Sequence, residues 1–301
     1  MGAVEWTWAW PWWGTIVAIN VINLIIGLMI FVKSKKSKND LLSSYRRTMR
    51  LLGIIFILVG VYRSIFVSRY LTQLAWFDTL ANSPLLIRCF ALFAEMAFAL
   101  LIMKTLLQVN KDVPIPENHK SKKLLYFIET KSPYVFVWCL FIAQFFAFGG
   151  TINKIRVLFA IEETLWGIGF LLITILVVMQ LKRVYSLKDD QSKKELRHYR
   201  IFTVFFTVFG VGYCIYSLLY HLPIEYWPAA IKQLQMAVPE PAIRTGIDAV
   251  KDAFLIVNET KDYAAWGGLG FVIWHSGYFA LCEWMVLFFM NGPRKLRKKS
   301  L

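Results

Sequence analysis

Seven ionisable side chains interrupt long apolar stretches of this 301-residue chain, and they are the residues best suited to chemistry. They are Arg63, Arg88, Glu95, Glu162, Glu163, His275 and Glu283. A charged group inside a lipid bilayer is expensive to keep, so an ionisable residue in a membrane-spanning helix marks a functional site by default. Carboxyl, guanidinium and imidazole groups together could bind a proton, a small ion or a charged ligand.

Residue spacing and depth predict two charged pairs. Arg88 and Glu95 are seven residues apart, about two turns of α-helix, and therefore share one face. Counted along the helices, Arg63 and Glu95 fall near mid-membrane, so we expect them to meet. Arg88 lies nearer the outer side, where Glu162 or Glu163 could pair with it. Two interpretations stay open: buried ion pairs that lock the helices together, or an outward-facing polar cavity that binds a small ligand, ion or proton.

Other polar residues in the apolar runs could line the same interior. His275 falls in the outer half of the last run and Glu283 in its inner half. Further candidates are Asn20, Asn23, Gln144, Tyr213 and Tyr216. Each of these alone is more often an interhelical hydrogen-bonding residue than a ligand-binding one.

No cofactor is predicted, and haem and a di-metal centre remain only as weak alternatives. A bis-histidine haem would need His221 and His275 at one level, but their depths differ by more than a helical turn. Carboxylates with His275 would suit iron or manganese. No Glu-x-x-His spacing supports such a centre.

Seven apolar runs must position these residues. The chain is 57% hydrophobic and 18% charged, whereas about a quarter of a soluble domain is charged. The runs lie at about residues 12–32, 49–69, 84–106, 134–150, 157–181, 201–220 and 266–290. The third has a clear start, because Ser83 can cap a helix and Pro84 suits its first turn. Backbone groups in lipid must be hydrogen-bonded internally, so we predict an all-α bundle of seven transmembrane helices.

The distribution of basic residues predicts the orientation of the bundle. Of 34 Lys and Arg residues, 25 lie in the segments 33–50, 104–131, 182–200 and 294–299, all on one predicted side. Cytoplasmic loops show this bias, so we predict an outer N-terminus and a cytosolic C-terminus. The net charge of +15 then reflects topology and contact with anionic lipid headgroups, and not a nucleic-acid site.

The segment 221–265 is the one sizeable loop on the predicted outer side. Ile243, Ile247, Val250, Phe254 and Val257 recur in it at helical spacing, which predicts an amphipathic helix. This helix either lies on the membrane surface or forms a lid over the bundle. Asn258 begins a weak N-glycosylation pattern in the same loop.

Glycines in two runs predict close contact between helices. Gly53 and Gly60 are seven residues apart in the second run, and Gly270 and Gly277 have the same spacing in the last. Small residues that repeat along one helix face allow a neighbouring backbone to approach closely.

The sequence motifs leave the function open among three classes. Catalytic signatures of soluble enzymes are absent, and the topology resembles those of G-protein-coupled receptors and microbial rhodopsins without their hallmark residues. The inner end of the third run reads Met103-Lys104-Thr105-Leu106 without an Asp-Arg pair, and 266–290 contains no lysine for retinal. We expect receptor-like or transport-like binding; the alternatives are an accessory subunit with membrane-protein partners and a lipid-modifying enzyme.

The C-terminal residues bear on the choice of membrane. Lys298 and Lys299 resemble a dilysine endoplasmic-reticulum retrieval signal, although a tail that follows the positive-inside rule would look the same. The chain is expected in a plasma membrane or bacterial cytoplasmic membrane, or in the endoplasmic reticulum of a eukaryote.

Overall fold

Seven long apolar helices make up most of the computed structural model, which describes residues 2–33, 43–187 and 193–292. Within these residues, the helices long and apolar enough to cross a membrane are Trp8–Lys33, Ser44–Ile65, Pro84–Asp112, Lys123–Asn153, Arg156–Ser186, Tyr199–Gln235 and Gly268–Asn291. The predicted all-α membrane bundle is confirmed at this level, and the chain is an integral membrane protein. The Lys298-Lys299 tail lies outside the described residues.

The secondary structure is almost entirely helical. In chain order the elements are α1 (Gly2–Lys33), α2 (Ser43–Ile65), β1 (Leu74–Ala75), a 3-10 turn (Leu80–Asn82), α3 (Pro84–Asp112), α4 (Glu117–Lys120), α5 (Lys123–Asn153), α6 (Arg156–Ser186), α7 (Lys193–Cys214), a π segment (Ile215–Tyr226), α8 (Trp227–Gln235), α9 (Gly246–Leu255), β2 (Asn258–Glu259), α10 (Tyr263–Trp266), α11 (Gly268–Gly277), a second π segment (Tyr278–Cys282) and α12 (Glu283–Asn291). The sixth spanning helix is therefore α7, the first π segment and α8; the seventh is α11, the second π segment and α12.

The fourth and sixth spanning helices extend furthest beyond their predicted apolar runs. The run 134–150 lies in the C-terminal two-thirds of α5, and Pro133 lies inside this helix and not at its start. Hydropathy missed the first turns of α5 because they contain the buried charged residue Glu129. The sixth helix continues past residue 220, where a π segment encloses Pro223 and allows the helix to pass a residue that cannot donate a backbone hydrogen bond.

The second helix ends earlier than predicted, at Ile65 instead of residue 69. Beyond it the chain folds back on itself, with hydrogen bonds from Arg69 N to Leu74 O and from Trp76 N to Val67 O, both 2.9 Å long. Hydropathy could not locate this turn, because Val67 and Trp76 are as apolar as the residues of a spanning helix.

A cluster of tryptophans marks one end of the bundle, which we name the tryptophan end. The Trp76 ring lies 5.4 to 5.8 Å from the rings of Trp8, Trp12 and Trp266, measured between centroids. Lys261 donates to the Trp76 carbonyl and to Glu259, and the bond to Glu259 is 2.9 Å long. That hydrogen bond lowers the pKa of the exposed Glu259 carboxyl. The opposite end, which carries the N-terminus of α5 and the C-terminus of α6, is the basic end.

Helix α9 packs against α3 and α5 at the tryptophan end. Its buried side chain Asp252 lies 3.0 Å from Lys154 Nζ and 2.7 Å from Arg244 Nη1. The apolar residues that predicted an amphipathic helix point away from this contact, and Ile247 is 66% exposed. Helix α9 lies within the predicted amphipathic stretch, but the face that packs against the bundle consists of Ala249, Asp252 and Ala253 and not of the larger apolar residues.

Close glycine contact is confirmed for the second helix and wrong for the seventh. A Cβ added at Gly53 would lie 2.3 Å from Met290 Cγ, and one at Gly60 would lie 1.8 Å from Glu283 Oε1. A Cβ at Gly270 or Gly277 would have no atom within 4 Å. Spacing alone does not show which face of a helix meets a neighbour, so the same pattern gave one right and one wrong prediction.

Candidate functional site

Arg88 is the centre of a buried polar network that joins three spanning helices. Its Nη2 atom lies 2.5 Å from Glu162 Oε1 on α6, and its Nη1 atom lies 3.4 Å from Glu95 Oε1. Gln144 on α5 accepts a bond from Arg88 at 3.3 Å and donates to Glu95 at 2.8 Å. All four side chains are buried, and Arg88 is only 3% exposed. The network therefore connects the helices in a low-dielectric interior, where such interactions are strong.

The starts of two helices place this network near the tryptophan end. Ser83 caps α3 by accepting a 3.3 Å hydrogen bond from Leu86 N, and Pro84 is the first helical residue, as the sequence predicts. Arg88 therefore lies just over one turn inside α3. Helix α6 begins at Arg156, so Glu162 lies fewer than two turns from the same end.

One of the two predicted charged pairs is confirmed, and the other is wrong. Arg88 pairs with Glu162, as depth predicts, but it also takes Glu95, which was expected to pair with Arg63. Arg63 instead donates to the Tyr70 hydroxyl at 3.2 Å. Its guanidinium carbon lies 5.4 Å from the Tyr278 ring centroid, a distance typical of a cation–π contact. Among the described residues, Arg63 has no ion pair within 4 Å.

Tyr70 is a site residue that the sequence did not reveal. It follows the end of α2, and the folded-back chain brings its ring to 5.6 Å from the Arg88 guanidinium. The ring also stacks on Phe159 of α6 at 6.5 Å between centroids. Tyr70 therefore contacts both arginines. The one available signal was an aromatic residue seven positions after Arg63 in the sequence.

Glu163 adds a third carboxyl next to this network. It follows Glu162 on α6 and is half-buried. It lies close enough to Glu162 and Glu95 to interact with both electrostatically. Three carboxyls and two guanidiniums thus share one region in the described part of the bundle.

The space around Arg63 is a narrow crevice. It encloses about 170 Å³ of unfilled space between α2, α3 and the seventh helix, but no part of it is wide enough for a water molecule. Its lining consists of Phe56, Val59, Gly60, Arg63, Ala94, Tyr278 and Phe279. A ligand larger than a proton would have to move these side chains.

Glu283 forms a separate polar contact between the first, second and seventh helices. It is fully buried, and its Oε2 atom accepts a 2.9 Å hydrogen bond from Asn23. Its Oε1 atom and Asn20 Oδ1 both lack a hydrogen-bond donor within the described residues. Both oxygens lie beside Gly60, where an added Cβ would be 1.8 Å from the first and 3.4 Å from the second. Two hydrogen-bond acceptors, Glu283 Oε1 and Asn20 Oδ1, therefore face the same small space beside Gly60.

His275 lies among aromatic rings, away from the charged network. Its ring centroid is 4.4 Å from that of Phe279 and 5.5 Å from that of Trp12, and no described group hydrogen-bonds to Nε2. His221 pairs with Glu225 at 2.5 Å on the first π segment. Among the described residues, no three His, Cys, Asp or Glu side chains are grouped as metal ligands would be.

A second polar network at the basic end was also missed by the sequence. The Glu129 carboxyl lies 3.1 Å from His119 Nδ1 and 3.7 Å from Arg183 Nε. Arg183 Nη2 also donates to Asn110 at 2.5 Å. These residues lie outside the predicted apolar runs, which is why a search of those runs did not find them.

No family model, curated protein or solved structure matches this chain significantly. The geometry of the site is therefore the basis on which a function can be argued.

Proposed function

We propose that this chain is a transport-like membrane protein that binds and releases a proton at the buried network around Arg88. One observation supports the proposal: three carboxyls, Glu95, Glu162 and Glu163, share a low-dielectric region with two guanidiniums, Arg63 and Arg88. Burying an unbalanced charge is expensive, so the third carboxyl favours a cation. A proton is the smallest cation available.

The tight packing favours a proton over a larger ligand. The crevice beside Arg63 does not admit a water molecule, and the Arg88 network is closed by direct hydrogen bonds. A proton can reach the network through a group that exchanges protons, such as the half-buried Glu163 carboxyl, without opening the bundle. A small ligand or metal ion would first require the helices to separate.

The arrangement at Glu283 supports a second proton in the bundle. Glu283 Oε1 and Asn20 Oδ1 are both acceptors without a described donor. If Glu283 carries a proton on Oε1, the carboxyl can donate to Asn20 while Oε2 still accepts from Asn23. This assignment satisfies every polar group in the contact and buries no net charge.

The Glu163→Gln variant tests the proton site. Glutamine has nearly the same size and shape as glutamate but cannot take up and release a proton, so we expect the protein to fold and proton uptake to fall about tenfold or more. Uptake is measured with a pH-sensitive dye inside liposomes that contain the purified protein. Size-exclusion chromatography in detergent checks the fold.

The control for this test is Glu225→Gln. Glu225 lies on the first π segment, is 45% exposed and pairs with His221 outside the network. We expect unchanged uptake in this variant. Equal uptake by wild type and Glu163→Gln would refute the proposal. An absence of uptake together with a partner that copurifies in fixed ratio would favour an accessory subunit.

The proposal includes the predicted orientation, with the tryptophan end outside and the basic end facing the cytosol and anionic lipid headgroups. In a cysteine-free background, Lys251→Cys on α9 should react with a membrane-impermeant maleimide on intact cells. Lys122→Cys at the basic end should react only after permeabilisation. The reverse pattern would show the opposite orientation. Both side chains are exposed on the protein, so the reaction depends only on which side of the membrane each one faces.

A further inference from the structure

A groove of about 550 Å³ opens at the tryptophan end, between α8, the start of α6 and the chain after Tyr70. This volume is within the range of small-molecule sites, about 300–1,000 Å³. The polar part of its lining includes Arg156, Lys232 and Glu240, and the apolar part includes Leu71 and Met236. The groove is distinct from the buried network, and no step of the proton proposal uses it.

The groove carries an excess of positive charge. Among the described residues, neither Arg156 nor Lys232 has an ion-pair partner within 4 Å. Helix α6 begins at Arg156, so the positive end of its dipole lies at the same place. Arg69 is nearby, and its pKa is lowered by burial and by the positive charge of Arg156. One carboxylate, Glu240, opposes these charges.

Gln233 gives the groove a fixed wall. Its side chain is buried, accepts a 2.8 Å bond from Arg156 N and donates at 2.9 Å to the Lys154 carbonyl. These bonds tie α8 to the start of α6 and hold the backbone of Arg156 in place. The position of the cationic residues therefore does not depend on a loose surface loop.

We propose that this groove binds a small organic anion. A carboxylate or phosphate group would lie between Arg156 and Lys232, since a guanidinium can hold either by two parallel hydrogen bonds. An apolar portion of the anion would pack against Leu71 and Met236. A soluble metabolite or the headgroup of an anionic phospholipid could supply this chemistry.

Butyl phosphate and inorganic phosphate serve as probes in calorimetric titrations of the full chain in a nonionic detergent. We expect butyl phosphate to bind more tightly than inorganic phosphate, because of its apolar portion. The Arg156→Gln/Lys232→Gln variant should bind butyl phosphate about tenfold or more weakly, as expected for the loss of charge-assisted hydrogen bonds. Glu240→Gln should bind it several-fold more tightly, because an opposing charge is removed.

Lys251→Gln is the matched control, since Lys251 is an exposed lysine on α9 outside the groove, and it should bind as wild type does. To separate the two sources, protein from phosphatidylglycerol membranes is analysed for retained lipid. Lipid that butyl phosphate displaces from wild type identifies a headgroup site; binding without retained lipid identifies a site for a soluble anion. Equal affinity in wild type and the double variant, or no binding by wild type, would overturn the proposal.

Discussion

Replacing Arg88 with methionine is expected to lower the free energy of unfolding by about 3–5 kcal/mol, the usual cost of removing one partner from a buried ion pair. The substitution leaves two buried carboxylates, Glu95 and Glu162, without the arginine that balances them. In the native protein Arg88 lies 3.4 Å from Glu95 and 2.5 Å from Glu162. Gln144 also loses a donor. Unfolding of the purified variant in mixed micelles, followed by tryptophan fluorescence, measures the change.

A triple variant separates the loss of charge balance from the loss of packing. Arg88→Met combined with Glu95→Gln and Glu162→Gln removes the arginine and both carboxylates that it balances. We expect it to recover most of the lost stability, because neutral replacement of a complete buried ionic network is often tolerated. If the triple variant is no more stable than Arg88→Met, the carboxylates are not held in charged form by Arg88.

Gly60→Ala is expected to destabilise the bundle by about 1–3 kcal/mol, the range for overpacked interiors. The new methyl group would lie 1.8 Å from Glu283 Oε1 and 2.9 Å from Glu283 Cδ, so the carboxyl must move. Glu283 is fully buried and hydrogen-bonded to Asn23, so it has little space to move into. The same unfolding assay measures the effect.

Two further glycine variants show whether the close contact is the cause. Gly212→Ala, in a spanning helix with no atom within 4 Å of the new Cβ, should leave stability unchanged or slightly raised. Gly53→Ala should also destabilise the bundle, because its Cβ would meet Cγ and Sδ of the fully buried Met290 side chain. Equal losses at Gly60 and Gly212 would contradict the argument from contact.

Glu283→Ala combined with Gly60→Ala provides a double-mutant cycle. If the clash is with the carboxyl, truncation of Glu283 should relieve part of the cost of Gly60→Ala, and the two changes should not be additive. Additive losses would place the strain of Gly60→Ala on another neighbour, such as Asn20.

The amino-acid sequence by itself determined the number of helices long and apolar enough to span a membrane, the start of α3 and the matching level of Arg88 and Glu162. Each depends on local chemistry: apolar length in lipid, the cap supplied by Ser83 with Pro84, and about 1.5 Å of rise per residue. The Arg88–Glu162 pair followed from depth as well. The mid-membrane depth predicted for Arg63 was wrong, because α2 ends at Ile65 and Arg63 lies in its last turn. The start of a helix and the level of a residue along it depend on that helix alone, so both can be predicted from one segment of the sequence.

Only the tertiary structure decided which groups meet at a given level. Glu95 pairs with Arg88 on its own helix and not with Arg63, which lies in the last turn of α2 and donates to Tyr70 in the segment that folds back. Helix α9 packs inward through Ala249, Asp252 and Ala253, and Asp252 pairs there with Lys154 and Arg244. Gly60 packs closely against Glu283, whereas no atom lies within 4 Å of a Cβ added at Gly270. Each outcome depends on the rotation of a helix about its axis and on the neighbour that it faces. Residue spacing describes one helix at a time and carries no information about either.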